Sequence, residues 1–150
     1  MPVQYYQYNI VKIDDQTVSD DTLTPDNDLK FFMSENVSYN IEALISINVA
    51  GLLPIYTWTI DGPSGFVSVI AKNELMLLGS TSVAISTQNS YNTENFTVGL
   101  SASSAILRIN CIVKNGGNSG IFSLNFACSS GTSVTNAAGS YLRYTFGITV

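Results

Sequence analysis

Apolar and polar residues alternate with a period of two along several stretches of the chain, most clearly from residue 39 to residue 49. Within this stretch every odd-numbered residue is apolar or aromatic, and every even-numbered residue except Leu44 is polar. Successive side chains of a strand point to opposite faces, so the pattern predicts a half-buried strand. Tyr56, Trp58 and Ile60 alternate with threonines and predict a second strand with one apolar face.

Dense turn residues at positions 61–65 (Asp-Gly-Pro-Ser-Gly) follow the second strand, and β-branched and aromatic residues resume at positions 66–70. This order predicts a hairpin of two neighbouring strands. Residues 71–78 could form a short helix, the only helix that the pattern suggests. Further strands are predicted at Tyr5–Ile13, Leu29–Phe32, Val83–Thr87, Thr97–Ala102 and Tyr141–Val150.

A second hairpin is predicted where residues 107–113 and 122–128 both alternate and the turn-rich loop 115–120 lies between them. If the last residue of the first strand faces the first residue of the second, all their apolar residues share one side. That register separates Cys111 from Cys128 by on the order of 13 Å. A disulfide requires Cα atoms within about 7 Å, so we expect two free, buried thiols.

The composition favours an all-β fold. The chain is 45% hydrophobic and 11% charged, where soluble domains carry about 25% charged residues. Serine, threonine and asparagine supply its polar character, and this mixture is typical of strands joined by polar turns. Short strands at regular spacing predict a single antiparallel β-sandwich or jelly-roll-like domain at residues 14–150. Residues 1–13 would form an N-terminal tyrosine-rich arm or an edge strand.

The distribution of charge argues against nucleic acid and membranes as partners. The net charge is −5, and the six basic residues are scattered along the sequence. Because these residues are scattered, the sequence does not predict a basic patch that could bind phosphates. The N-terminal residues lack the features of a secretion signal, and no apolar run approaches the about 20 residues that span a bilayer. We therefore expect neither a secretion signal nor a membrane anchor.

The sequence offers little catalytic chemistry. It contains no histidine, which removes the commonest general base and metal ligand. No glycine-rich phosphate loop and no C-x-x-C pair is present. We therefore expect a protein that is not an enzyme, with no catalytic residues and no cofactor. Six aspartates could in principle bind calcium, but their spacing matches no EF-hand and favours a solvated acidic loop without a metal: Asp14, Asp15, Asp20, Asp21, Asp26 and Asp28.

Two aromatic groups are candidate contact sites. Tyr56 and Trp58 could stack on a glycan, although an isoleucine on the same strand face favours core packing instead. Tyr5, Tyr6 and Tyr8 are candidate partner-contact residues, because tyrosine combines a large rigid ring with a hydroxyl and is enriched at interfaces. The segment that carries these three tyrosines could be a docking arm or a plain edge strand.

Three segments resemble small structural proteins of tailed bacteriophages. Residues 17–31 (TVSDDTLTPDNDLKF) lead into the strand at residues 39–49, as in that family. Residues 58–65 (WTIDGPSG) resemble its aromatic strand followed by Gly-Pro-x-Gly, and residues 138–143 (AGSYLR) resemble its terminal Gly-Ser-Tyr-Leu strand. The resemblance touches both ends and the middle of the chain, and its motifs determine fold rather than catalysis.

The resemblance implies a structural protein of the virion, and it covers capsid decoration or head-fibre proteins as well as tail or fibre modules. The absence of a stalk or shaft repeat favours a capsid decoration or cement protein on the head surface. A receptor-binding module of the tail or fibre, which could bind a glycan, is the alternative. The major capsid protein or another virion protein would be the partner. Uncovered strand edges and the three-fold positions of capsid lattices favour a homotrimer.

Overall fold

Alternating stretches of the sequence form the strands of two antiparallel sheets that pack face to face. The computed structural model describes residues 2–81, 83–91, 96–129 and 131–149. Within these ranges the chain forms twelve strands, and no helix there is long and apolar enough to cross a membrane. The strands are β1 (Val3–Val11), β2 (Gln16–Val18), β3 (Thr24–Met33), β4 (Ser38–Ala50), β5 (Ile55–Asp61), β6 (Ser68–Leu77), β7 (Val83–Gln88), β8 (Phe96–Gly99), β9 (Ser104–Lys114), β10 (Gly120–Cys128), β11 (Ser133–Asn136) and β12 (Tyr141–Thr149).

The larger sheet has the strand order β1-β12-β4-β9-β6-β7, with β1 and β7 at its edges. A short branch extends it, because β11 pairs with β4 beyond the end of β12, and β2 pairs with β11. The smaller sheet has the order β3-β10-β5-β8. All pairings in both sheets are antiparallel. The prediction of an antiparallel β-sandwich is confirmed.

The core lies between the two sheets and is lined by the residues that the alternation places on one face. The inward-facing residues of β4 are at most 3% exposed: Tyr39, Ile41, Ala43, Ile45 and Ile47. Leu44, which interrupts the polar set, lies on the opposite face and is half-buried. Full burial of a side chain of this size stabilises the fold by about 1.5–3 kcal/mol, so β4 is a central contributor to stability.

Both predicted hairpins are wrong. β5 pairs with β10 and β8, whereas β6 pairs with β9 and β7 in the other sheet. β9 and β10 likewise lie in different sheets. The inward faces of β5, β9 and β10 were predicted correctly, because alternation identifies the side that meets the core. It does not identify the neighbouring strand, and two strands that face each other across a sandwich show the same pattern as two paired strands.

The two turn-rich segments therefore cross from one sheet to the other, and they pack against each other. The side-chain amide of Asn118 donates to the backbone oxygen of Ser64 at 3.0 Å. A Cβ at Gly116 would lie 1.8 Å from the backbone oxygen of Gly65. The oxygen of Gly116 also accepts a hydrogen bond from the amide of Asn36 at 2.7 Å. Both crossovers thus form one hydrogen-bonded end of the sandwich.

Two further expectations concern β6 and the cysteines. The helix suggested at residues 71–78 is wrong, because residues 71–77 belong to β6, in which Val69, Ala71 and Leu75 are buried. Pairing with β7 and β9 outweighs the helix propensity of its leucines.

Cys111 and Cys128 are free and buried, as predicted. They are separated because they lie on different sheets and not, as expected, because of a hairpin register.

Candidate interaction surface

β1 is an edge strand of unusual composition. It pairs with β12 along all nine of its residues and forms one end of the larger sheet. Its sequence, Val-Gln-Tyr-Tyr-Gln-Tyr-Asn-Ile-Val, contains no charged residue and no proline. Charges and prolines are the usual means by which an edge strand avoids pairing with other chains. The outer edge of β1 therefore presents backbone donors and acceptors without that protection.

The three tyrosines of β1 lie on both faces of this edge. Tyr5 is 77% exposed and pairs across the strands with Gly147. A Cβ at Gly147 would lie 3.1 Å from Cε1 of Tyr5, so the ring uses the space that the glycine leaves. Tyr6 and Tyr8 point to the inner face of the sheet, and Tyr8 is 48% exposed. The tyrosines therefore offer aromatic surface in two directions.

Aromatic stacking fixes the inner tyrosines in place. The ring of Tyr6 stacks on Phe146 at a centroid distance of 5.5 Å, and the ring of Tyr8 stacks on Tyr144 at 5.3 Å. Tyr144 in turn stacks on Phe31 of the smaller sheet at 3.8 Å. Burial, with the neighbouring tyrosines, raises the pKa of Tyr144. This ladder, which runs from the core to the exposed edge, orders the rings before any partner arrives and so lowers the entropic cost of binding.

We define the aromatic edge as β1 together with Tyr144 and Phe146 of β12. A groove of about 490 Å³ adjoins it on the outer face, with Val3, Tyr5 and Gly147 among its lining residues. Residues 3–11 pair with β12 at the edge of the larger sheet. Tyr5 and Tyr8 are exposed enough to contact a partner.

A second apolar area lies at the opposite edge of the larger sheet. Met76, Val83 and Ile85 are between 40% and 62% exposed, and with Ile106 they line a groove of about 310 Å³. We call these four residues the β7 patch. Charged residues lie between the two apolar areas, on β12, β4, β9 and β6. The outer face of the larger sheet thus has an apolar area at each end.

The charged pair on β4 and β12 illustrates the polar centre of this face. Arg143 donates a hydrogen bond to Glu42, its cross-strand partner. This hydrogen bond, with a second one from the hydroxyl of Tyr141, lowers the pKa of the Glu42 carboxyl. Both side chains are partly exposed, so the ion pair holds the two side chains in place on the surface and contributes little to the stability of the fold.

Tyr56 and Trp58 are in the core and do not form a sugar platform. Tyr56 is 0% exposed and Trp58 is 1% exposed, and their rings stack on each other at 5.4 Å. The inner face of β5 packs against the larger sheet, which covers the face that a sugar would need. The core-packing interpretation of this pair is the one that the burial supports.

The acidic residues do not form one solvated loop, which corrects the interpretation of Asp26. Asp26 is 0% exposed, and its Oδ1 lies 2.9 Å from Nζ of Lys12, which is also buried. Asp28 approaches the same amine at 3.5 Å. The other four aspartates of the segment are exposed. Among the described residues, no three acidic or cysteine side chains converge as they would around a metal ion.

Two further buried side chains complete this cluster. Nδ2 of Asn136 donates to Oδ2 of Asp26 at 3.1 Å, and the hydroxyl of Tyr56 donates to Oδ1 of Asn136 at 3.2 Å. Burial, and the charge of Asp26, raise the pKa of the Tyr56 hydroxyl. Sequence reasoning missed this cluster. The available signal was Lys12 itself, a single charge within the apolar run Ile-Val-Lys-Ile.

Comparison with known proteins assigns no family. No family model matches the chain, and no curated protein matches it. Among solved structures, those of infectious bursal disease virus Gt and Gx strains share 11% and 10% identity, cover 96% and 97% of this chain, and have TM-scores of 0.27 and 0.25. The VP2 subviral particle of the same virus gives 13% identity, 96% coverage and a TM-score of 0.24. The chain spans about two fifths of the length of these structures, with 41%, 42% and 41% covered. TM-scores this low do not establish a common fold, and the likenesses assign no function.

Proposed function

We propose that the chain is a structural protein of a tailed-bacteriophage virion, a capsid decoration protein that binds the assembled shell and stabilises it without chemical catalysis. The observation that carries this proposal is the aromatic edge: an uncharged edge strand on which Tyr6 and Tyr8 are stacked in place and Tyr5 and Tyr8 remain exposed. The sequence resemblance at residues 17–31, 58–65 and 138–143 supplies the virion context.

Such a protein functions by binding one state of its partner in preference to others. A site that exists only on the assembled shell stabilises that assembly by mass action. The free edge of β1 can add to a strand of the major capsid protein, while Tyr5 and Tyr8 fill apolar depressions beside it. Because each contact recurs over the whole lattice, a modest free energy at every site is sufficient.

We further propose that the protein is a homotrimer. A three-fold ring joins one patch of each copy to a different patch of the next copy. The β7 patch is an apolar surface separate from the aromatic edge, which leaves β1 available for the shell. Ile85→Lys places a charge in this patch and should shift the mass measured by light scattering from trimer to monomer. Thr87→Lys on the same strand is the matched control and should remain trimeric. A wild-type monomer would contradict this part of the proposal.

The test of the main proposal compares particles with and without the protein. Particles that carry it should retain their genome at higher temperature, while adsorption to cells is unchanged. The double variant Tyr5→Ser/Tyr8→Ser should bind shells with lower occupancy than wild type. Phe32→Ser removes a ring that is 60% exposed, between the values for Tyr5 and Tyr8, from β3 and should bind normally. If genome retention is unchanged and adsorption fails, the protein is a tail or fibre receptor-binding module instead.

A further inference from the structure

A nucleophile, an electrophile and an acid–base group meet in the core of the sandwich. The primary amine of Lys12, the carboxylate of Asp26, the carboxamide of Asn136 and the hydroxyl of Tyr56 are each at most 2% exposed. They come from four separate segments: Lys12 follows β1, and the others belong to β3, β11 and β5. The proposed surface function uses none of them.

Asp26 bridges the amine and the carboxamide. Its Oδ1 accepts a hydrogen bond from Nζ of Lys12 at 2.9 Å, and its Oδ2 accepts one from Nδ2 of Asn136 at 3.1 Å. The carbonyl oxygen of Asn136 accepts a hydrogen bond from the hydroxyl of Tyr56 at 3.2 Å. The carboxylate thus contacts both nitrogens whose protons must move in an amide exchange. The hydroxyl contacts the oxygen on which negative charge would develop.

We infer that Lys12 and Asn136 become joined by an intramolecular isopeptide bond, with Asp26 as the proton-transfer group. The ammonium of Lys12 gives a proton to Asp26, and the neutral amine attacks Cγ of Asn136. A bond forms between Nζ and Cγ while the carbonyl electron pair moves to Oδ1, beside the hydroxyl of Tyr56. Asp26 accepts the second amine proton as it passes the first to Nδ2.

Collapse of this intermediate breaks the bond between Cγ and Nδ2. The products are a secondary amide and one molecule of ammonia, and Asp26 keeps the remaining proton as a neutral carboxylic acid. One ammonium, one carboxylate and one primary amide give one secondary amide, one carboxylic acid and one ammonia, so atoms and charge balance, and no oxidant or other co-reactant is needed. Exclusion of water favours the reaction. An ion pair that is buried away from water is energetically costly, and proton transfer followed by amide formation removes both of its charges.

Asn136 is the better acceptor than Asp26, although Asp26 is in direct contact with the amine. An ionised carboxylate resists nucleophilic attack, and Asp26 is held by two backbone amides, those of Asp28 and Leu29, at 3.1 Å each. The carboxamide carries no charge, and the hydrogen bond from Tyr56 polarises its carbonyl. If Asp26 were the acceptor, water would be released, and no second acid of the buried cluster would remain to transfer protons.

The bond would tie the end of β1 to β11 and so fasten the edge strand to the sandwich. Backbone hydrogen bonds already hold Lys12 against residues 139 and 140. The isopeptide bond would close a covalent ring through residues 12 to 136, which persists even when the chain is unfolded.

Intact mass under denaturing conditions tests the inference. We expect the purified chain to be lighter than its sequence mass by one ammonia. A tryptic digest should contain residues 1–30, uncut at Lys12, joined to residues 115–143. The closed ring should also migrate faster than an unlinked chain in a denaturing gel. A full sequence mass would overturn the inference, and loss of one water would overturn the choice of Asn136.

Three variants assign the roles. Asn136→Asp should release water instead of ammonia and reach the same final mass as the linked wild type, because the product is chemically identical. Asp26→Asn keeps the shape of the side chain but cannot carry the proton, so its mass should equal its sequence mass. Tyr56→Phe should link more slowly than wild type in a time course after refolding. Ammonia loss from Asp26→Asn at the wild-type rate would contradict the role given to Asp26.

Discussion

The contact between the two crossovers can be tested with two adjacent glycines. Gly116 is buried, and a Cβ there would lie 1.8 Å from the backbone oxygen of Gly65, where ordinary contact begins at 3.4 Å. Gly117 is exposed and a Cβ there would meet nothing within 4 Å. Neither glycine has a positive φ. Gly116→Ala and Gly117→Ala therefore make the same chemical change in two positions that differ in the space available.

Gly116→Ala must displace backbone rather than a flexible side chain, so we expect a loss at the upper end of the overpacking range, about 3 kcal/mol. For a chain of this length that corresponds to a melting temperature lower by roughly 6–12 °C. Gly117→Ala should be neutral or slightly stabilising, because alanine restricts the unfolded chain. Urea denaturation followed by tryptophan fluorescence measures both variants. Equal midpoints for the two would refute the packed-crossover arrangement and reopen the hairpin topology.

Three further predictions concern charged and titratable groups. Lys12→Met removes both the buried partner of Asp26 and the amine that the inferred isopeptide bond needs, so it should lower the free energy of unfolding by at least about 3–5 kcal/mol; the exposed pair variant Lys72→Met, its control in the same denaturation assay, should leave the midpoint unchanged. Burial raises the pKa of Cys111 to about 12, so its thiol should react with a disulfide reagent at pH 9 only after unfolding, and stability should fall as pH rises from 9.0 towards 12 because the unfolded thiol ionises first; fast labelling of the native protein would contradict this. Arg143→Met should raise the pKa of Glu42, followed by NMR, because the guanidinium hydrogen bond that lowers it is lost; an unchanged titration would contradict the pairing.

In β4, β5, β9 and β10 the sequence was sufficient to predict which residues face the core. In β4, the alternation from Tyr39 to Ile47 determined the buried face because a half-buried strand permits only one assignment. It was insufficient for the strand partners, since the inward residues of β9 and β10 look alike whether they meet within one sheet or across two. Pairing depends on contacts between residues far apart in the sequence, which periodicity does not encode.

The candidate sites were likewise predictable from the sequence only in part. Tyr5 and Tyr8 are exposed because β1, which has no charged residue, is an edge strand. The tyrosine-rich composition of this segment had already suggested a contact role for them. The burial of Asp26 did not follow, because acidic residues are mostly solvated and its cation lies 14 positions earlier in the chain. Asn136, its other partner, is 110 positions away. Only the folded topology brings these three side chains together.

The two sheets differ in width, and the larger sheet extends past the smaller one on the side of β1. The larger sheet continues through β12 to β1, whereas the smaller sheet ends at β3, whose Phe31 covers Tyr144. The inner rings of Tyr6 and Tyr8 lie on β1, beyond β12, and Tyr8 is 48% exposed although it faces inward. A partner that binds at β1 can therefore reach these inner rings from the side where the smaller sheet ends.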